Sequence, residues 1–333
     1  MSAGTRPIRI CGTGSAVPRH IVTSAELDVR LKLEPGTVYR KSGVLQRHQA
    51  IDETAADLAA EACEGALDRA GLDWTDIDCL VATSATMDQA LPFNAALVLS
   101  RLGWRSSIPA FDVGASCMSF LVGLDLLATA VASGRYRHVL LVSSDIATFA
   151  LDWQRLGESA IFGDGAAAAI IRRSEPGESS CILSSRIATF PEGVHFCRIE
   201  AGGSRFHPRR VAGSVDERSL FRMDGARLFR LAAREIPGFV DELLRDAGLE
   251  PARVDVVVPH QASRLAIDHL VRRLSIDPSR VSDIFETHGN QVAASLPSAL
   301  HHALTARGLE RGQSMLMLGA GAGVTLGGMA MVY

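Results

Sequence analysis

The chain has 333 residues, of which 47% are hydrophobic and 21% charged; it can bury a large core and is not a disordered chain. Its formal net charge of −3 argues against a nucleic-acid binder, whose phosphate contacts need a basic excess. The six cysteines (11, 63, 79, 117, 181 and 197) form no CxxC pairs and no histidine spacing, so neither a metal site nor a disulfide framework is expected. The longest apolar stretch, Phe120 to Ala132, is interrupted by Asp125, and no basic-then-apolar leader opens the chain. No membrane span is expected, and the composition suits a cytoplasmic enzyme with reduced thiols.

In chain order, Thr54 to Ala70 reads as a helix. Thr54 and Asp57 form a capping box, Leu58, Ala59, Ala62, Ala66 and Leu67 share one small-residue face, and Gly71 stands at the C-cap. An apolar strand follows at 77–82, then a helix from about Pro92 to Leu102 and a strand near 109–113. A helix from about Cys117 to Ser133 is closed by Gly134, and strands follow at 138–143 and 166–171. Strands that alternate with helices and are nearly continuously apolar predict a parallel sheet covered on both faces.

The second half repeats the pattern. Ala70-Gly71-Leu72-Asp73 running into Ile77 to Val81 matches Ala247-Gly248-Leu249-Glu250 running into Val254 to Val258. Arg101-Leu102 leads through a strand to Cys117, and Arg273-Leu274 leads through a strand to Asn290 over nearly the same distance. This predicts an α/β fold built by duplicating a βαβαβ unit, with residues 1–175 carrying a nucleophilic cysteine and 176–333 a histidine and an asparagine. Ligands bind outside the carboxyl ends of parallel strands, where Cys117, His260 and Asn290 are all expected.

Cys117 opens a helix directly after a strand, in Phe111-Asp112-Val113-Gly114-Ala115-Ser116-Cys117. A helix N-terminus is expected to lower its thiol pKa, and the small residues before it let its backbone N–H face an oxyanion. The other five cysteines read as apolar filler. His260 lies in Val257-Val258-Pro259-His260-Gln261-Ala262 and Asn290 in His288-Gly289-Asn290-Gln291. Each alone fits a satisfied core or turn residue; together with Cys117 they make a candidate site. Gly12-Thr13-Gly14 lacks the third glycine of a dinucleotide loop, and Phe162-Gly163-Asp164-Gly165 reads as a tight turn, not a metal site.

These segments, with Ser42-Gly43, Arg47-His48 and the Gly-rich tail, resemble the β-ketoacyl-acyl-carrier-protein synthase III family over essentially the whole chain. The resemblance implies a five-layered αβαβα thiolase fold, a homodimer, and no cofactor beyond the substrates. It also implies decarboxylative Claisen condensation of an acyl thioester, carried on coenzyme A or a carrier protein, with malonyl-acyl carrier protein. Cys117 would be acylated, His260 and Asn290 would stabilise the enolate, and backbone N–H groups of Cys117, Ala322 and Gly323 would form the oxyanion hole. An alternative in the same superfamily passes the acyl-Cys117 group to another nucleophile, including a second acyl chain. Chain-elongating synthases carry a second histidine where Asn290 stands, and thiolases a second cysteine in the tail, so both fit less well.

The sequence departs from the family pattern at the coenzyme A adenine site, where Thr37 and Leu156 replace the tryptophan and arginine of a sandwich, with Arg155 adjacent. Coenzyme A either binds differently or gives way to a carrier protein as donor. Leu91, in a lengthened loop at 87–92, stands where the family's phenylalanine lines the acyl pocket across the dimer; it and Met118 are expected to reshape that pocket, though Met118 also fits ordinary packing. Arg227, Arg230, Arg264, Arg272 and Arg273 lie on two predicted helices, and Arg230, Arg264, Arg272 and Arg273 are the expected docking residues for the acidic carrier protein.

Overall fold

A computed structural model describes residues 4–333. The helix Ala55–Ala70 forms as expected: the Thr54 side chain accepts from the Asp57 N–H, the Asp57 carboxylate accepts from the Thr54 N–H, and left-handed Gly71 ends it. Its small face lies on the strand Ile8–Ala16. There a Cβ on Gly12 or Gly14 would lie within 2.7 Å of the Ala70 or Ala66 backbone nitrogen. The Gly12-Thr13-Gly14 segment is thus a close strand–helix contact and not a phosphate loop.

The first sheet runs Ile8–Ala16, Gly165–Arg173, His138–Asp145, Cys79–Ala82, Ala110–Asp112. Four of its strands run in one direction; Gly165–Arg173 alone runs against them, antiparallel to both of its neighbours. The expected parallel sheet is therefore a mixed one. The second sheet runs Cys181–Thr189, Thr325–Val332, Ser314–Gly321, Val256–Pro259, with Val281 bridging Val257 in parallel at its edge. Numbered along the chain, the strands of both sheets lie in the order first, fifth, fourth, second, third, with Val281 standing as the third of the second sheet.

Three apolar clusters separate the layers. Alternate residues along each strand face opposite ways: Cys79 and Val81 face the central layer, whereas Leu80 and Ala82 face the outer helices Ala55–Ala70 and Asn94–Arg101. The central layer holds helices Ser119–Ala132 and Ser295–Thr305 between the two sheets. Helices Gly225–Ala247 and Arg264–Leu274 cover the outer face of the second sheet. The result is the five-layered αβαβα arrangement of the thiolase fold. Among the described residues, no helix is long and apolar enough to cross a membrane.

Candidate active site

Cys117, His260 and Asn290 line one cavity of about 410 Å³ whose walls are mostly apolar. That size falls within the range of small-molecule sites. Cys117 sits in a single 3₁₀ turn, Ser116–Met118, and the α-helix begins only at Ser119. The glycines of the strand Ser314–Gly321 let this turn approach: a Cβ on Gly321 would lie 3.3 Å from the Cys117 nitrogen, and one on Gly319 would lie 2.8 Å from His260 Cβ. The strand floor must be bare of side chains for the two candidates to meet across it.

His260 follows the strand Val256–Pro259 directly, its N–H donating to Leu318 O at 2.7 Å. Buried Gln261 fixes this turn, donating through Nε2 to Pro259 O and Ser282 O and accepting at Oε1 from the Ile284 N–H. Asn290 does not follow a strand directly, as the sequence suggested. The predicted strand shrinks to the Val281 bridge, and a short helix, Phe285–His288, intervenes. The Asn290 amide is held in a fixed orientation. Its Oδ1 accepts from the Val292 N–H at 2.9 Å and from Ser295 Oγ at 3.2 Å, and its Nδ2 donates to Ala262 O at 3.3 Å. One N–H of the amide is left for a ligand. Ser116 and Val292, beside Cys117 and near Asn290, have φ of 52° and 54°, left-handed values that are costly for non-glycine residues and cluster at functional sites.

The electrostatics correct one expectation. The Cys117 thiol is not lowered: burial, reinforced by the Asp145 charge, pushes it up to about 12, against the lowering effect of the Ala322 and Cys117 backbone N–H groups. One turn of 3₁₀ helix supplies too weak a dipole to offset loss of water. Those two N–H groups are nonetheless aimed at the sulfur, where an oxyanion on an attached acyl carbon would lie. Burial holds His260 down to about 4, so the imidazole is neutral near pH 7, and its Nδ1 is buried with no hydrogen-bond partner among the described residues.

Two buried aspartates frame the cavity. Asp145, which sequence reasoning missed, accepts from the Ala85 and Thr86 N–H groups, from Thr86 Oγ1, and from the Ala294 N–H. It joins a cavity wall to the segment after Asn290, and burial raises it to about 6. Asp164 of the Phe162-Gly163-Asp164-Gly165 turn accepts from the N–H groups of Ala50, Ala147 and Thr148 and from Thr148 Oγ1. It is a loop anchor. The one sequence signal for Asp145 was a carboxylate ending an otherwise buried strand.

Comparison with known proteins places this arrangement. Residues 111–190 match the family model described as 3-oxoacyl-[acyl-carrier-protein] synthase III, and residues 244–333 match its C-terminal model. The chain is 35% identical to β-ketoacyl-[acyl-carrier-protein] synthase III 3 of Streptomyces coelicolor over 99% of this chain and 98% of that one. It is 31% identical to the synthase III of Neisseria meningitidis serogroup B over 98% and 99%. The chain belongs to the β-ketoacyl-acyl-carrier-protein synthase III family. A crystal structure of the synthase III from Aquifex aeolicus superposes with a TM-score of 0.88 at 30% identity, covering 99% of this chain and all of that one.

The other candidates can now be placed within the synthase III fold. Ala322 lines the cavity, whereas Gly323 does not. Met118 is fully buried and its side chain packs against the glycine positions 319 and 327 behind Cys117. It lies in the core and off the cavity wall, which corrects its expected place in an acyl pocket. Leu91 is 83% exposed and does not line this chain's own cavity; its expected place is in the pocket of a second copy. Arg264 is engaged by Asp283 at 2.6 Å and by Asp268 at 3.5 Å, so its charge is largely spent. Arg227 pairs with Asp224 at 3.3 Å. Arg230, Arg272 and Arg273 are exposed. Leu156 is core, and the Thr37 hydroxyl donates to Glu34 O, so neither presents a stacking surface. Arg155 is held by Glu158 and Asp152.

Proposed function

We propose that this synthase III condenses an acyl thioester with malonyl-acyl carrier protein, releasing carbon dioxide and giving β-ketoacyl-acyl carrier protein. The observation that carries the reading is the shared cavity, in which a thiol, a neutral imidazole and a fixed amide face one another. Cys117 Sγ bonds to the primer carbonyl carbon, the carbon–sulfur bond to the donor breaks, and the thiol proton leaves with the departing thiol. The Cys117 and Ala322 N–H groups hold the tetrahedral oxyanion. His260 and Asn290 then donate to the malonyl thioester oxygen. As carbon dioxide leaves, its electron pair stays as an enolate stabilised by those two donors, and no charge need move onto the protein. The enolate carbon bonds to the acyl carbonyl, the Cys117 thioester breaks, and the released thiolate takes one proton from solvent.

The reading treats residues 1–175 and 176–333 as related halves, supported by their common strand order. It takes Arg230, Arg272 and Arg273 as the carrier-protein face, supported by their exposure on the helices beside the cavity. It also takes the working enzyme as a homodimer, supported by the exposed apolar loop of Met87, Leu91 and Phe93. The chemistry uses side chains, backbone donors and thioesters alone. Intact-mass spectrometry with a panel of acyl-coenzyme A and acyl-carrier thioesters tests it. An adduct on Cys117 that is consumed by malonyl-acyl carrier protein with a β-ketoacyl product is expected. An adduct that ignores malonyl-acyl carrier protein would replace this reading with transfer to another nucleophile.

A further inference from the structure

A second depression, of about 430 Å³, adjoins the cavity and is lined by His195, Arg198, Ile199, Glu200, Arg205 and Phe206. Arg198 and Ile199 line both spaces, so the two are continuous along the strand Cys197–Arg198. The segment beyond is a closed loop, since the N–H groups of Glu200 and Ala201 both donate to Arg218 O. The ring of Phe206 is flanked by two guanidiniums, with Arg218 Cζ 4.0 Å and Arg205 Cζ 4.9 Å from its centroid. Glu200 is the one carboxylate on the wall, and Arg198 at 3.0 Å and Arg218 at 3.9 Å neutralise it. Arg205, Arg209 and Arg210 are exposed and make no ion pair among the described residues; Arg210 is steadied by a 3.2 Å bond from Nη1 to Ser204 O. Of the loop's other acids, Glu217 is held by Arg222 at 2.8 Å, and Asp216 lies beside it at the loop base.

A chain with a net charge of −3 has therefore set an unpaired guanidinium, Arg205, against an aromatic ring in a depression continuous with the Cys117 cavity, with exposed Arg209 and Arg210 following on the same loop. Guanidiniums pair bidentately with phosphate and stack on planar rings, and the depression is of small-ligand size. We infer that this loop is the recognition site for the phosphorylated nucleotide of a coenzyme A thioester donor, with Arg205, Arg209 and Arg210 on its phosphates and Phe206 beside its base. The inference rests on the thioester-donor reading above and adds the donor's carrier and the place that holds it. It makes coenzyme A recognition a property of the second half of the chain, away from Thr37 and Leu156.

Calorimetric titration of the full chain with adenosine 3′,5′-bisphosphate, for wild type and the variant Arg205→Ala/Arg209→Ala/Arg210→Ala, tests it directly. Acylation of Cys117 by an acyl-coenzyme A is compared with acylation by the same acyl group on pantetheine, which has no nucleotide. The variant is expected to bind the bisphosphate at least about tenfold more weakly. It should lose a similar factor in acylation by acyl-coenzyme A and keep its rate with acyl-pantetheine. Unchanged bisphosphate affinity would overturn the inference. So would equal losses with both thioesters, or a loss seen only with malonyl-acyl carrier protein, which would make the loop a protein-docking face. Failure of wild type to be acylated by either thioester would instead refute the functional reading, while the calorimetry would still decide the site.

Discussion

Replacing Gly319 with alanine should separate the two halves of the reaction. The added methyl would lie 2.5 Å from Met118 Cε, 3.0 Å from Met118 Sδ and 2.8 Å from His260 Cβ, where carbon contacts settle near 3.5–4.0 Å. The methionine can turn aside. His260 Cβ cannot, because its backbone is tied to Leu318 O at 2.7 Å and its turn is pinned by Gln261. Relief therefore needs His260 to move by about 1 Å, a shift that costs about a hundredfold in a positioned reaction, and overpacking should cost about 1–3 kcal/mol of stability. Carbon dioxide release from radiolabelled malonyl-acyl carrier protein should fall by about that hundredfold, while Cys117 acylation stays within a few-fold. Adding Met118→Ala, which removes only the contact that could turn aside, should not recover carbon dioxide release. Release at the wild-type rate, or equal loss of both steps, would refute the placement of His260.

Met118→Ala alone should cost about 2–5 kcal/mol in urea unfolding and leave the acyl-chain-length profile unchanged; a shifted profile would return Met118 to the acyl pocket. With the Cys117 thiol raised to about 12 by burial, the thiolate fraction grows tenfold per pH unit below that value. Iodoacetamide inactivation should accordingly climb about tenfold per unit from about pH 7 to about pH 10, whereas a plateau near pH 7 would reveal a stabilised thiolate. Arg272→Glu/Arg273→Glu should raise KM for malonyl-acyl carrier protein roughly tenfold at low salt, with acylation from acyl-coenzyme A unaffected and the loss shrinking as salt is added. Unchanged carrier-protein turnover would remove these arginines from the docking face.

The helix Ala55–Ala70 and the turns that carry Cys117 and His260 were legible because their signals are local: a capping box with a C-cap glycine, and small or turn residues after a buried strand. The mixed character of the sheets was not. Ala166 to Ile171 is buried on both faces, and such a run looks the same whether its neighbours lie parallel or antiparallel. The Cys117 thiol was misjudged because helix position is written in the sequence, whereas the burial and the Asp145 charge that raise it come from the folded surroundings. Asp145 itself was missed for the same reason, since its partners lie 59, 60 and 149 residues away. Met118 stands next to the nucleophile in sequence, yet its side chain turns to the core side of the turn.

The most direct measurement of the central claim is carbon dioxide release by Asn290→Ala once Cys117 carries an acyl group. Asn290 is held by Ala262, Val292 and Ser295 with one amide N–H directed to the cavity, and removing one such donor typically costs about 10²–10³ in rate. The account predicts an Asn290→Ala protein that still forms the acyl-Cys117 adduct and releases carbon dioxide slower by about that factor. An adduct-bearing Asn290→Ala protein that decarboxylates malonyl-acyl carrier protein as fast as wild type would contradict it.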